Sequence, residues 1–210
     1  MITLNTVFIK TYTEDELPFN NSEILRYARA REDSAEVNSL LSECIEEIRG
    51  KLSYRVCYAE YEIRMLEGEI DLRFAKVKSK GLEKNLKSST SVCVFCATLG
   101  TQIDILIKRH SLLSPARALL LQAIGSERVE TLCDKFNEEI KERARREGKR
   151  SHPRFSPGYG DLPLELQRDI FRALECPRKI GVSLSESLMM TPSKSVTAII
   201  GISPEEKGTV

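Results

Sequence analysis

The chain has 210 residues, of which 41% are hydrophobic, and this is enough for one domain with a substantial core. Its formal net charge of +1 argues against a general nucleic-acid or membrane-surface protein. The N-terminus lacks the basic and apolar regions of a signal peptide, and the apolar runs are too short to span a membrane. We therefore expect a cytoplasmic protein whose six scattered cysteines are reduced thiols rather than a disulfide framework.

The N-terminal part of the sequence combines strands with helices. Residues 1–12 alternate between apolar and polar side chains, which indicates a strand. Residues from about 14 to 50 are predicted to form a helical subregion, because their apolar side chains recur at helical spacing. Residues 53–66 indicate another strand, but its apolar residues change parity. A bulge near Ala59 and Glu60 would reconcile its two halves.

The rest of the sequence alternates strands with longer helices. Gly68 marks a turn between two alternating segments and predicts a β-hairpin. The apolar run over residues 92–99 predicts a buried strand, and Ser114-Pro115 opens a long helix that reaches about residue 146. The later predicted elements are a helix over residues 163–174 and strands near 179–184 and 195–202. We expect a single α+β domain over residues 1–210, with an antiparallel sheet gathered from distant strands.

The segment that begins at Arg154 carries the most specific chemistry in the sequence. An arginine offers a planar fork of donors that suits a carboxylate bidentately. The Pro-Gly step that follows makes a turn in which glycine lets a ligand approach the backbone closely, and a tyrosine adds an aromatic face with a polar tip. On residue types alone, the segment is either a ligand loop or a connection between two core elements. Its six residues are Arg154, Phe155, Ser156, Pro157, Gly158 and Tyr159.

Two further motifs follow this segment. They are Leu-Ser-Glu-Ser over residues 184–187 and Pro-x-x-Ser-Val over residues 192–196. The ordered set of three motifs resembles the activation domain of cobalamin-dependent methionine synthase, most strongly over residues 128–202. The resemblance implies a bent antiparallel sheet with flanking helices and a helical N-terminal part. It also implies the free-standing version of this domain, which acts in trans on a separate synthase.

The same resemblance implies roles for individual residues. Arg154 would pair with the carboxylate of S-adenosylmethionine (AdoMet), the backbone of residues 155–158 would lie near its adenine and methionine moieties, and Tyr159 would face the cofactor. Glu186 and Ser187 are further candidates for AdoMet binding. From its chemistry alone, Glu186 either accepts a bond from a ligand ammonium or ribose or satisfies nearby backbone amides. This chain would supply no catalytic residue and no metal ligand.

The partner implied by the resemblance is a corrinoid-binding methionine synthase subunit, and cobalamin would be held only by that partner. The leading hypothesis is an AdoMet-binding reactivation subunit that positions AdoMet for reductive methylation of cob(II)alamin. Such a subunit is a component of a methyltransferase activity rather than a complete enzyme. The basic run over residues 141–150 is either a solvated helix end or a docking patch for an acidic partner such as a flavodoxin-type reductant. Neither a nucleic acid nor a membrane is expected as a partner.

Two other functions compete with this hypothesis. A non-catalytic docking module for a corrinoid protein would keep the fold without binding AdoMet. The absence of tryptophan favours this alternative, as does Thr197-Ala-Ile-Ile200, which stands where the family has an aromatic cluster. A thiol redox protein would use Cys93 and Cys96, but on a strand these positions point to opposite faces. His110 and His152 are the only histidines, so a catalytic histidine dyad is not predicted, and His110, which follows two basic residues, is expected to end a helix in solvent.

Overall fold

The computed structural model describes residues 6–31 and 33–205 of the chain. The strands are β1 (Phe8–Tyr12), β2 (Tyr54–Glu62), β3 (Arg64–Leu66), β4 (Glu69–Asp71), β5 (Lys76–Val77), β6 (Ser91–Thr98), β7 (Lys149–Ser151), β8 (Ser183–Leu184), β9 (Met190–Thr191) and β10 (Ser195–Pro204). The helices are α1 (Asn21–Ala28), α2 (Ala35–Ile48), α3 (Lys80–Asn85), α4 (Gln102–Leu113), α5 (Pro115–Arg146), α6 (Leu166–Leu174) and α7 (Cys176–Ile180), with a 3-10 turn at Glu14–Glu16. This mixture, with a curled antiparallel sheet at its centre, confirms the predicted α+β class.

The central sheet has five strands in the order β1-β2-β6-β10-β7. Strand β1 is the described part of the strand predicted over residues 1–12, of which residues 1–5 lie outside the described residues. Strand β2 pairs with β6 without interruption from Arg55 to Glu62. The bulge predicted near Ala59 and Glu60 is therefore wrong. The apolar residues of β2 change parity because apolar clusters cover both faces of the strand. Neither set of alternating positions therefore has to be polar.

Helices cover both faces of the central sheet and bury two apolar clusters. On the first face, α1, α2, α4 and α5 cover side chains such as Phe95, whose ring centroid lies 5.0 Å from that of Phe136 in α5. On the second face, α3, α6 and α7 cover Cys57 and Cys96 among others. The sheet is therefore the middle of three layers, and burial of apolar area on both of its faces stabilises the fold.

Several predicted elements are confirmed. Strands β3 and β4 form the hairpin around Gly68, and β5 extends it to a separate three-stranded sheet. The long helix α5 has Pro115 in its first turn and continues without a break through Gly125 to Arg146. Strands β6 and β10 are neighbours in the central sheet, as expected for two buried apolar segments. None of the described helices combines the length and apolarity that a membrane crossing requires.

Two further local predictions need correction. The strand predicted near residues 179–184 is shorter, because its first two residues belong to helix α7, which has Pro177 in its first turn, and only Ser183–Leu184 forms a strand. Proline suits the first turn of a helix because an N–H group at that position would have no partner within the helix. His110 was expected in solvent but is 9% exposed, and its Nε2 lies 2.9 Å from both carboxylate oxygens of Glu47. His110 is covered through its contact with α2, whereas the residues on either side of it at the end of α4 are exposed.

Candidate functional site

The segment from residue 154 to residue 162, which we call the Arg154 loop, is fixed to the central sheet near its start. The N–H of Phe155 donates to the carbonyl of Ile199 at 2.8 Å, and the N–H of Ile199 donates back to the carbonyl of Phe155 at 2.9 Å. The ring of Phe155 packs against the second apolar cluster, and Pro157 is buried. The start of the loop is thus attached to β10, one of the central strands.

The middle of the Arg154 loop is a tight turn. The N–H of Tyr159 donates to the carbonyl of Ser156 at 3.1 Å, and the N–H of Gly158 donates to the carbonyl of Leu162 at 2.9 Å. Gly158 has a φ of +84°, a conformation that a residue with a side chain adopts only with strain. Tyr159 is 69% exposed and its ring meets that of Phe155 edge-on at 5.4 Å. The turn therefore presents an aromatic side chain to solvent.

Arg154 extends from this loop to helix α5. Its Nη1 donates to Oδ1 of Asp134 at 2.8 Å, and its Nη2 donates to the carboxylate of Glu130. Residues four apart share one face of a helix, so both carboxylates meet the same guanidinium. The side chain of Arg154 is 22% exposed. The guanidinium is therefore held at a defined place with part of it open to solvent, where it could bind the carboxylate of a ligand.

An acidic cleft of about 310 Å³ lies beside this group of charges, between α1 and α5. Its carboxylates belong to Glu23, Glu127, Glu130 and Asp134, and Tyr27 lines it as well. Burial raises the pKa of Tyr27, and the negative charges of Glu130 and Glu23 raise it further. Glu23 pairs with Arg26, Glu127 pairs with Arg128, and Glu130 and Asp134 share Arg154, so these carboxylates exceed their arginine partners by one negative charge, which suits a cationic group of a ligand.

Arg128 holds the segment that precedes α1 against α5. Its buried guanidinium donates to the carbonyl of Leu17 at 2.5 Å, to the carbonyl of Pro18 at 2.7 Å and to the carboxylate of Glu127 at 2.6 Å. It also lies 4.0 Å from the ring centroid of Phe19. These contacts fix the position of α1, and with it one wall of the acidic cleft.

Glu186 and Ser187 lie in the turn between β8 and β9. Both are exposed. The main-chain carbonyl of Glu186 accepts a bond from Arg168 of α6 at 2.8 Å, and Ser187 Oγ lies 2.9 Å from Ser185 Oγ. Among the described residues, no hydrogen bond joins this turn to the Arg154 loop. The structure therefore gathers Arg154, Phe155, Ser156, Pro157, Gly158 and Tyr159 in one loop, and it holds Glu186 and Ser187 in a separate turn.

Cys93 and Cys96 lie in β6 and contribute to different apolar clusters, one on each face of the sheet. The prediction that these two sulfurs point to opposite faces is confirmed. Across the residues that the structure describes, no group of three or more His, Cys, Asp or Glu is arranged to hold a metal ion.

Three acidic residues at this site were not among the residues predicted from the sequence. Glu130 and Asp134 bind Arg154, and Asp161 binds the first residues of α3. The spacing of Glu130 and Asp134 shows that they share a helix face, and that signal is visible in the sequence. Their contact with a loop that begins twenty residues or more along the chain is a tertiary property, which no local pattern indicates.

Comparison with known proteins shows what this chain resembles. The sequence profile described as vitamin B12 dependent methionine synthase, activation domain, matches residues 82–208, more than half of the chain. The fold is similar to a crystal structure of the MetH reactivation domain bound to AdoHcy, with a TM-score of 0.66 and 15% sequence identity, over 98% of this chain and 81% of that chain. At this identity the likeness concerns the fold alone. A search of curated proteins finds no match.

Proposed function

Because this chain belongs to the vitamin B12 dependent methionine synthase activation domain family, we propose that it binds AdoMet and acts in trans on a separate corrinoid-binding subunit. The observation that carries this proposal is the position of Arg154 at the edge of an acidic cleft. AdoMet has one carboxylate and two cationic centres, the ammonium and the sulfonium. A guanidinium beside several carboxylates complements that arrangement of charges.

Each part of the site has a role in this proposal. Arg154 binds the carboxylate of AdoMet through two of its N–H groups. Glu130 and Asp134, which flank the guanidinium, receive the ammonium group. The backbone around Gly158 lines the methionine and adenine moieties, and the exposed Tyr159 lies at the edge that faces the partner. Glu186 and Ser187 would contact the ligand only if the β8–β9 turn approaches it.

In this proposal cobalamin belongs to the partner, because this chain lacks the Asp-x-His-x-x-Gly pattern with which resembling corrinoid domains supply a histidine to cobalt. The partner's cobalamin would supply the redox and methyl-accepting chemistry of reductive methylation. The contribution of this chain is to bind AdoMet, to orient its methyl group and to exclude water from the reacting groups.

A flavodoxin-type reductant is a weaker part of the proposal. The basic end of α5 is largely neutralised within the chain, since Arg143 pairs with Glu60 and Arg146 pairs with Glu142. These pairs favour a solvated helix end and leave little net positive charge for an acidic partner to bind.

The direct test is isothermal titration of the full chain with AdoMet, alone and with the corrinoid-binding subunit. We expect saturable binding that becomes tighter in the presence of the partner. The proposal that AdoMet binds would be refuted if the titration with AdoMet gives no binding heat under either condition and AdoHcy does not compete with AdoMet.

Substitution of Arg154 tests the site itself. Loss of a charge-assisted bidentate pair costs about 1.5–3 kcal/mol, so Arg154→Ala should weaken AdoMet binding by about 10- to 150-fold. Arg154→Lys should restore little of it, because an ammonium cannot reproduce the planar fork. Arg49→Ala removes an exposed arginine that pairs with a carboxylate at the C-terminal end of α2, and it serves as the control. Wild-type affinity in a folded Arg154→Ala protein would exclude this site.

The second candidate, a docking module that has lost AdoMet binding, is favoured by one observation. Both ends of the Arg154 guanidinium already have carboxylate partners within the chain, Glu130 and Asp134. A module of this kind would bind the corrinoid subunit to the same extent with and without AdoMet. A pull-down with that subunit distinguishes the two candidates, since the leading proposal expects AdoMet to strengthen the complex.

A further inference from the structure

Asp161, near the end of the Arg154 loop, binds the first turn of helix α3. Its carboxylate accepts a hydrogen bond from Ser79 Oγ at 2.6 Å, from the N–H of Lys80 at 2.6 Å and from the N–H of Gly81 at 3.0 Å. The first N–H groups of a helix have no partner within the helix, and they carry partial positive charge. A carboxylate is therefore the side chain that best satisfies several of them at once.

The contact is close enough to restrict the residue opposite. A Cβ added at Gly81 would lie 2.9 Å from Oδ1 of Asp161 and 3.0 Å from Cζ of Phe155. Phe155 is the residue that attaches the start of the loop to β10. The two ends of the loop thus meet on the backbone of α3 at Gly81, and there is no space between them for a side chain.

The loop between these attachments contains the two residues that most need restraint. Gly158 and Gly160 both have positive φ, at 84° and 59°, and glycine has many alternative conformations available in the absence of external contacts. Tyr159, between them, is exposed and contributes little packing. Leu162 is buried beside Asp161, but an apolar contact does not fix the direction of the chain as three hydrogen bonds do.

We propose that Asp161 is a positioning residue: by binding the start of α3, it holds the Arg154 loop in the conformation that receives AdoMet. Asp161 itself does not need to touch the ligand. The inference rests on the proposed function for the identity of the ligand, whereas the attachment of the loop can be tested without any ligand.

The affinity test compares Asp161→Ala and Asp161→Asn with the wild type by titration with AdoMet. The apparent affinity falls with the fraction of molecules that have a competent loop, so we expect about 5- to 50-fold weaker binding for Asp161→Ala. Asp161→Asn keeps one acceptor oxygen and should lose less. Gly81→Ala leaves the loop sequence intact, and alanine favours helix, so weaker binding in this variant would report the loop contact and not the stability of α3.

Ser34→Ala is the matched control. Ser34 caps α2 by accepting a bond from the N–H of Val37, and it is remote in sequence from the loop. Its removal weakens a helix start in the same way without touching the Arg154 loop. If Ser34→Ala and Asp161→Ala lose thermal stability alike and bind AdoMet alike, Asp161 has only a structural role and the proposal is overturned.

Hydrogen exchange without ligand gives the second readout. The N–H groups of Gly158, Tyr159 and Leu162 are bonded within the loop. In Asp161→Ala these amides should exchange about 10-fold faster or more, as expected for local opening, while the amides of β6 and β10 keep their protection. Unchanged exchange in the loop would overturn the inference. Faster exchange without any AdoMet binding in the wild type would instead refute the proposed function and leave the positioning role of Asp161 supported.

Discussion

Arg128 is a fully buried arginine that binds distant parts of the chain. None of its side chain is exposed, and its charge is balanced by Glu127, which is 2% exposed. The two main-chain carbonyls that it binds belong to residues 17 and 18, more than a hundred positions earlier in the chain. One side chain therefore connects the N-terminal segment to the middle of α5.

We expect Arg128→Met to destabilise the protein by about 3–5 kcal/mol, because breaking a buried pair leaves the other charge unpaired. The measurement is the free energy of unfolding from urea titration. Arg178→Ala, which removes an exposed arginine that pairs with Glu175, should leave the free energy of unfolding almost unchanged. The double variant Glu127→Gln with Arg128→Met should recover part of the loss. Equal, small losses in Arg128→Met and Arg178→Ala would contradict this account.

At the residue scale, the sequence indicated Arg154 as a candidate but not the side chains that surround it. The Arg154 loop was identified from its own residue types and from the order of the motifs around it. Arg128 sits four residues from Ile124 and from Leu132, both fully buried, so its place on the apolar face of α5 was visible in the spacing. Its partners in residues 17–18 were not, because a sequence does not show which distant carbonyls a buried arginine will meet.

At the element scale, helices α2 and α4 are joined by the contact between Glu47 and His110. The hydrogen bond from His110 lowers the pKa of Glu47, and the nearby charges of Arg109 and Arg117 contribute in the same direction. A carboxyl whose pKa is lower in the folded state stabilises the fold above its ordinary pKa of 4.5. That contribution is lost as the pH falls below this value and through the folded pKa.

The thermal midpoint should therefore fall between pH 6 and pH 3, and part of this fall should be absent in Glu47→Gln. We expect the difference to be a few degrees, because a partly exposed pair contributes about 0–1 kcal/mol and 1 kcal/mol shifts the midpoint of a domain of this size by about 2–4 °C. Glu36→Gln, in the exposed first turn of α2, is the control. The same pH dependence in wild type and Glu47→Gln would show that this pair does not link the two helices.

The elements that were predicted correctly are those whose pattern is set by their own sequence. The long helix α5 has a proline start and sustained helical spacing, and β6 is a continuous apolar run. The bulge in β2 was inferred by assuming that one face of that strand meets water. This assumption fails because helices cover both faces of the sheet. The position of the helices is a tertiary property, so the pattern of one strand could not reveal it.

At the scale of the whole molecule, the two apolar clusters share the strands β2, β6 and β10. Opening either cluster requires the sheet to separate from a helical layer.

The family match, over residues 82–208, begins earlier in the chain than the motifs recognised in the sequence, which lie between residues 154 and 196. The motifs could identify the family because they concentrate in the Arg154 loop and in the segments after it. The contribution of the N-terminal helix α1 to the acidic cleft became visible only in three dimensions.

The shared sheet leads to a prediction for the thiols. All six cysteines are free and buried, and burial raises the pKa of Cys93 and of Cys133, which disfavours the reactive thiolate. We expect labelling to require global unfolding, and the free energy of unfolding of a domain is at least about 5 kcal/mol. A thiol reagent should then react with the native protein more than roughly 10³-fold slower than with the unfolded chain. Thiol titration in buffer and in denaturant measures this ratio, and the denatured protein should yield all six thiols. Rapid reaction of two thiols in the native protein, abolished by Cys93→Ala or Cys96→Ala, would instead support a redox function for β6.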